Sequence, residues 1–241
     1  LANSSYQLPA PKPTMSATTE PKKPTQVRVK TTQPKRLFPP NSARPPIITE
    51  RLLLRPLVPE DVTALHVLRT QPEVMKWTGQ GRPDASLAET QARLNPSLPP
   101  NDVATFNFAI CLRATGELIG IGGNHQVNRA LGWPELGYML MEDHWGRGYA
   151  TEFVGAWLEA WEGLEREVGV EVEVDERTVV VGEGGLAKEV VLAVTAADNP
   201  KSQRILRKCG FEEFMVWEVQ GSRPGEGMVG LPIFRYFVGG K

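Results

Sequence analysis

Glu135-Leu-Gly-Tyr-Met-Leu-Met-Glu-Asp-His-Trp145-Gly-Arg-Gly-Tyr-Ala150 is the stretch from which the fold can be read. An apolar run ends in acidic residues, two glycines bracket a cation, and Phe153, Val154, Trp157, Leu158 and Trp161 then recur at helical spacing. A strand therefore passes into a helix running from about 148 to 165, through a Gly146-Arg147-Gly148 turn. Glycines let backbone N–H groups approach an anion closely, and the positive end of the helix dipole favours one there. A pyrophosphate suits such a turn, although a tight turn that needs glycine only for its dihedral angles has the same residues. The dinucleotide fingerprint G-x-G-x-x-G fails at Thr151, and no Walker sequence is present. The two tryptophans of the helix read as core anchors.

On the N-terminal side, residues 104–112, 118–127 and 135–141 have strand character. Ala114-Thr-Gly-Glu117 joins the first two as a turn, which predicts an antiparallel meander. Before it come a strand over 47–56, a helix opened by Pro59 and acids, and short helices over 71–77 and 84–94, the last with Asp84 as N-cap. On the C-terminal side a strand over 190–195 is followed by a helix from Asn199 to Cys209 closed by Gly210. Two strands, 211–219 and 232–238, end the pattern.

The chain has 241 residues, 41% of them hydrophobic and 23% charged, with 27 basic side chains against 28 acidic. That is globular composition, long enough to form a core without disulfides, and Cys111 and Cys209 alone make no disulfide framework. Neither they nor His66, His125 and His144 fall at zinc spacing, so no metal is expected. No apolar window is long enough to cross a membrane and the first 30 residues lack a signal-peptide core. A cytoplasmic, or else nuclear, protein without a membrane partner is the expectation. Charge is segregated: residues 1–46 carry eight Lys or Arg, one acid and ten of the 21 prolines, a net +7 against −8 for the rest. This tail is expected to be disordered. With positive charge there rather than on a folded face, no nucleic-acid partner is expected. Glu159 to Glu189 carries ten acids and three bases, and Val168-Gly-Val-Glu-Val-Glu-Val174 alternates inside it. An acidic hairpin inserted over about 163–187 is predicted, solvated or paired with the basic tail.

Trp145-Gly-Arg-Gly-Tyr-Ala-Thr-Glu152 resembles the acetyl-coenzyme A (acetyl-CoA) signature of the GCN5-related N-acetyltransferases (GNAT), in particular the RimJ/RimL-like branch. Thr49-Glu-Arg-Leu-Leu-Leu-Arg-Pro56 resembles that branch's opening strand, and Asn199-Pro-Lys-Ser-Gln-Arg-Ile-Leu-Arg-Lys-Cys-Gly-Phe211 its Asn-x-x-Ser…Gly-Phe helix. The resemblance covers residues 47–238. It departs at Trp145, where the superfamily has Gln or Arg, and at Leu206, where the superfamily's thiolate-protonating tyrosine falls. It implies an α/β (α+β) fold over 47–241, with a mostly antiparallel mixed sheet of about seven strands flanked by helices. The fourth and fifth of these, 135–141 and 190–195, splay apart.

The same resemblance implies acetyl transfer from acetyl-CoA to a primary amine, on a protein N-terminus or a small molecule, by direct attack in a ternary complex. A non-catalytic acyl-CoA sensor is the alternative. The pantetheine arm would pair with backbone groups of Tyr138, Leu140 and Met141, and an N–H near Leu140 would hold the thioester oxygen. Amides of Arg147, Gly148, Ala150 and Thr151 would take the pyrophosphate, and Asn199 would bond the pantetheine. With the helix tyrosine replaced, Ser202, one turn beyond Asn199, is the candidate donor to the leaving thiolate. Glu135 is the candidate base, with His125 behind it; Cys209 reads as a packed thiol rather than a nucleophile. Monomer and homodimer both remain open.

Overall fold

The computed structural model describes residues 25–128, 130–221 and 227–240. Its strands are β1 (Gln26–Pro34), β2 (Ile47–Ile48), β3 (Leu52–Arg55), β4 (Phe106–Leu112), β5 (Leu118–Val127), β6 (Pro134–Leu140), β7 (Arg166–Asp175), β8 (Val190–Val194), β9 (Glu212–Gln220) and β10 (Met228–Phe237). The helices are α1 (Val62–Arg69), α2 (Pro72–Met75), α3 (Leu87–Leu94), α4 (Tyr149–Glu162) and α5 (Pro200–Lys208). Eight strands form one sheet in the order β2-β3-β4-β5-β6-β8-β10-β9, antiparallel except between β6 and β8. Eight replace the expected seven or so because the run 47–56 breaks into two strands. Thr49 turns the chain, its amide donating to Leu52 O (3.0 Å) and its hydroxyl accepting from Leu52 N (2.9 Å).

Side-chain alternation along the strands gives the sheet two apolar faces. On one, Phe153, Val154, Trp157 and Trp161 of α4 and Leu206 of α5 pack against Phe106, Phe108, Val191, Ala193 and Phe234. The two helix tryptophans are fully buried, as their spacing predicts. Their indole N–H groups are bonded too, Trp157 to Phe106 O (3.0 Å) and Trp161 to Glu189 Oε1 (2.9 Å). On the other face, Leu65, Leu68 and Leu94 of α1 and α3 cover Ala109 and Cys111 of β4. Asp84 does not cap α3. Ser86 does, accepting from Glu89 N (3.2 Å), while buried Asp84 holds Arg69 and Thr90 at 2.7 Å each.

The disorder expected of residues 1–46 is not found over 25–46, where the chain is ordered; residues 1–24 of that expectation lie outside the described residues. β1 pairs antiparallel with β7, setting Val29 opposite Val172 and Val27 opposite Val174, with Arg28 opposite Glu173 and Lys30 opposite Glu171. Four valines give the ribbon an apolar side that packs on Trp133, Val190, Leu192 and Ile233, the stretch of the second sheet face beyond α1 and α3. Proline content averaged over 46 residues conceals this short alternating run, whose partner lies in the acidic insertion. Past β1 the chain stays tied down. Phe38 packs against Phe106 and Trp161 at 5.8 and 5.6 Å between ring centres. Arg44, counted in the sequence as a tail cation, is buried with its guanidinium on the carbonyls of Pro39, Asp102 and Thr105. Burial pushes its pKa down to about 10, against the raising effect of Asp102.

Removing residues 1–34 strips β7 of its partner and uncovers the apolar patch around Trp133. Because each half-buried valine contributes on the order of 1 kcal/mol, the loss is expected to reach about 3 kcal/mol. Urea unfolding monitored by tryptophan fluorescence measures it, and an unchanged midpoint would show that the ribbon contributes nothing to the fold.

Candidate active site

The site begins where sheet pairing stops. β6 and β8 are neighbours through one residue pair, Glu135 opposite Leu192, and no further pair joins them. Met141 N donates to Ile119 O (2.8 Å), on the β5 side. Alternation then turns the amides of Leu140 and Tyr138 away from β5, into the opening toward β8. Tyr138 and Leu140 thus turn their amides toward the opening, while the Leu140 carbonyl accepts from Trp145 Nε1 (2.8 Å). Met141 does not present the backbone groups the resemblance implies: its amide is used by Ile119 and its carbonyl accepts from His144 N (3.0 Å).

At the end of β6 the chain turns into α4 through Gly146 (φ 73°) and Gly148 (φ 85°), a left-handed backbone that glycine adopts without strain. The first amides of α4, Ala150 and Thr151 among them, have no acceptor within the helix. A Cβ at Gly146 would meet nothing within 4 Å, and one at Gly148 would meet only Arg51 Nη2, at 3.2 Å. The cradle is therefore open to a phosphate, and Arg147, between the two glycines, is exposed.

Arg51 is a site residue that sequence reasoning missed. Its backbone N and Nε donate to the two oxygens of Glu152 (2.8 and 2.7 Å), Nη1 donates to Arg147 O (2.9 Å), and the guanidinium lies 4.9 Å over the Tyr149 ring. Thr49 Oγ1 donates to the same Glu152 (2.6 Å). The β2–β3 turn thereby clamps the glycine turn. Both partners lie in stretches the resemblance had singled out, but a separation of 101 residues leaves no spacing signal that joins them.

On the helix-packed side of the opening, Asn199 caps α5 by accepting from Ser202 N (3.1 Å), which leaves its Nδ2 for a ligand. Capping is therefore not the task of the Ser202 hydroxyl, which instead meets the Tyr138 hydroxyl at 2.9 Å. Burial pushes the Tyr138 phenol up to about 12, against the lowering effect of that bond. Leu206 is fully buried in the core, so α5 offers no phenol of its own at that position. Cys209 is half-buried, with its Sγ–H 3.6 Å from Thr151 O and its pKa raised by burial, consistent with a packing thiol.

Glu135 stands on the opposite face. Its carboxylate accepts from Asn128 Nδ2 (2.8 Å), and the Asn128 oxygen is in turn fixed by the amides of Ala130 and Leu131 (3.1 Å each). His125 shares that face: it lies where a Cβ on Gly137 would point, 3.1 Å from its Cε1, and is solvent-exposed. The structure thus separates Glu135 and His125 on one side of the opening from Tyr138 and Ser202 on the other. Among the described residues no group of three or more His, Cys, Asp or Glu side chains is placed to hold a metal ion. No helix among them is long and apolar enough to cross a membrane.

The sequence profile of the acetyltransferase (GNAT) domain matches residues 51–212. This chain belongs to the GNAT acetyltransferase family. Two curated relatives from bacilli carry names of the same class. One, the uncharacterized N-acetyltransferase p20 of Bacillus licheniformis, is 34% identical over 109 residues, a match spanning 45% of this chain and 61% of that protein. The other, the uncharacterized N-acetyltransferase YoaA of Bacillus subtilis, is 26% identical over 70% of this chain and 84% of its own. The fold is shared with a GNAT-family acetyltransferase of Bacillus anthracis, with a TM-score of 0.58 and 19% identity over 80% of this chain and 98% of that one. It is also shared with spermidine N-acetyltransferase from Vibrio cholerae, solved with CoA and spermine, with a TM-score of 0.59 and 18% identity over 79% of this chain and 97% of that one. The mostly antiparallel sheet flanked by helices is thus the GNAT fold.

Glu152 yields a pH prediction. Burial pushes its pKa up, but hydrogen bonds from Thr49 and from the Arg51 amide and guanidinium outweigh burial and hold it below the ordinary carboxylate value. A depressed folded-state pKa contributes stability above the unfolded value of about 4.3 and loses it as pH falls through the folded one. Arg51→Ala is therefore expected to be less stable than the parent by on the order of 1 kcal/mol at neutral pH, since the pair is partly exposed. That gap should narrow as pH falls below the ordinary carboxylate value of about 4.3 and close once Glu152 is protonated in both proteins. Melting temperatures of the two proteins between neutral and acid pH check it; a gap that stays constant would remove Glu152 as the partner that matters.

Proposed function

We propose that this GNAT protein, as a RimJ/RimL-like enzyme, transfers the acetyl group of acetyl-CoA to a primary amine by direct attack in a ternary complex. The observation that carries this reading is the opening between β6 and β8, whose free Tyr138 and Leu140 amides lead to the glycine cradle at the start of α4. Pantetheine would pair along β6 as an added strand. Amides of Arg147, Gly148, Ala150 and Thr151 would bind the pyrophosphate, with Arg147 and Arg51 supplying charge, and Asn199 Nδ2 would reach the pantetheine.

In the reaction the amine nitrogen attacks the thioester carbon, the negative charge that develops on oxygen is met by the Leu140 N–H, and the C–S bond then breaks with its electron pair left on sulfur. Ser202 would donate a hydrogen bond to that thiolate. Glu135, directly or through water, would take the amine's proton, and Asn128 holds its carboxylate in place for this. An α-amine with a pKa near 7.8 is about 30% neutral at pH 7.4, against about 0.1% for a lysine amine, so a modest base suffices for the former. The spermine bound to the Vibrio relative adds small polyamines as the second acceptor class to try.

A panel of N-terminal peptides and polyamines incubated with acetyl-CoA, with CoA thiol release and product mass as readouts, tests the activity. Amine-dependent release is expected. Tight CoA binding without transfer to any amine would favour a sensor instead.

Replacing Glu135 with Gln should depress kcat most below the acceptor's pKa, and the two enzymes should converge at alkaline pH where neutral amine is abundant. Rates from pH 6 to 10 measure this. If kcat keeps its profile and only KM rises, Glu135 binds the acceptor and does not deprotonate it.

A further inference from the structure

Two hydroxyls meet on the helix-packed side of the opening, one from β6 and one from the first turn of α5. We infer that Tyr138 is a positioning residue for the departing thiol: its phenol donates to Ser202 Oγ and so turns the serine proton into the space between β6 and β8. This rests on the acetyl-transfer reading of the same opening.

The pair contains two protons for one mutual bond, so only one of two arrangements uses the chemistry well. A phenol is the stronger acid and hence the better donor, and an aliphatic hydroxyl oxygen the better acceptor. Burial keeps the Tyr138 phenol protonated throughout the working pH range. The Ser202 amide is committed to Asn199 Oδ1, so that residue does not compete for the hydroxyl. The ring is held by Phe153 of α4, with 6.2 Å between ring centres, and the ionisable group that bears on the phenol from α5 is Cys209, whose own pKa burial raises. With Ser202 Oγ accepting from the phenol, its remaining O–H becomes a better donor, since linked hydrogen bonds polarise one another. It points to where sulfur would gain charge. No bond within the pair breaks: the C–S electron pair stays on sulfur, the amine's proton goes to the base, and the hydroxyls contribute a hydrogen bond made mainly to the leaving group.

CoA itself is the probe. In its complex with the wild-type protein, the thiol is expected to ionise about one pH unit below its free value, read from the NMR shift of the methylene carbon beside sulfur as pH is raised. Tyr138→Phe and Ser202→Ala should each return it most of the way. The double variant should go no further than either single one, because the two residues act as one unit. Removing both hydroxyls leaves no unpaired partner, so the double variant also guards against a folding defect in the single ones. With an active acceptor, each single variant should lose about tenfold in kcat at unchanged CoA affinity. A wild-type complex in which the bound thiol responds to Ser202→Ala but ignores Tyr138→Phe overturns the inference alone. A wild-type protein that binds no CoA overturns the acetyl-transfer reading and takes the inference with it.

Discussion

An interior pair of strands that touches at one residue pair is the constraint on which the rest of the structure depends. Buried backbone N–H and C=O groups are nearly always paired, and leaving one unpaired costs about 1–3 kcal/mol. Here β6 and β8 lie in the middle of an eight-stranded sheet and still part after Glu135 and Leu192. The penalty is sustained because both strands are held from outside the gap: β6 by its ladder to β5, and β8 by its ladder to β10. Packing of α4 and α5 over the common face then ties the two half-sheets together without closing them.

The acidic insertion belongs to this same arrangement. Just before β6, Trp133 is fully buried and its indole N–H donates to Thr178 Oγ1 (2.7 Å). Just before β8, Glu189 accepts from Arg166 at 2.6 and 2.7 Å and from Trp161. Burial holds the Glu189 pKa above the ordinary carboxylate value, with Arg166 and Trp161 lowering it only in part. Residues of the insertion thus anchor the starts of both strands that flank the opening. The β1–β7 ribbon, seated on Trp133, Val190 and Leu192, presses on the same place from the other face. A segment with the composition of a solvated excursion is therefore part of the frame of the site.

Legibility of the sequence follows the range of the interactions. Elements held by local signals were readable: α4 from its 3.6-residue stripe, the β4–β6 meander from its turns, and α5 from Asn199 and Gly210, which cap its two ends as expected. The glycine turn was readable because two glycines at a helix start have few other uses. What stayed hidden is whatever a second, distant segment decides. β1 needs β7, about 140 residues away, before its alternation means anything. Asp84 reads as a cap until Arg69 is seen to hold it. Arg51 and the Tyr138 hydroxyl owe their places to partners in other elements, and no spacing within one element encodes that. Met141 misleads for a related reason: whether an amide is free depends on how far the neighbouring ladder continues, and β5 reaches one residue further than the end of β6.

Strand alternation also arranges the proposed chemistry. In β6, odd-numbered residues face the side that carries His125 and Glu135, and even-numbered ones the side that carries Tyr138 and α5. A proton acceptor and a hydroxyl pair three residues apart are thereby set on opposite sides of one strand with no loop needed to place them. In the proposed acyl transfer the base acts on the attacking nitrogen and the hydroxyl pair on the departing sulfur, two different atoms of the tetrahedral intermediate, so the two groups would work from different places around it. The strand in between would present the amide of Leu140 edge-on to the carbonyl oxygen. One β-strand, left unpaired on one edge, can thus serve nucleophile, oxyanion and leaving group from its two faces and its edge.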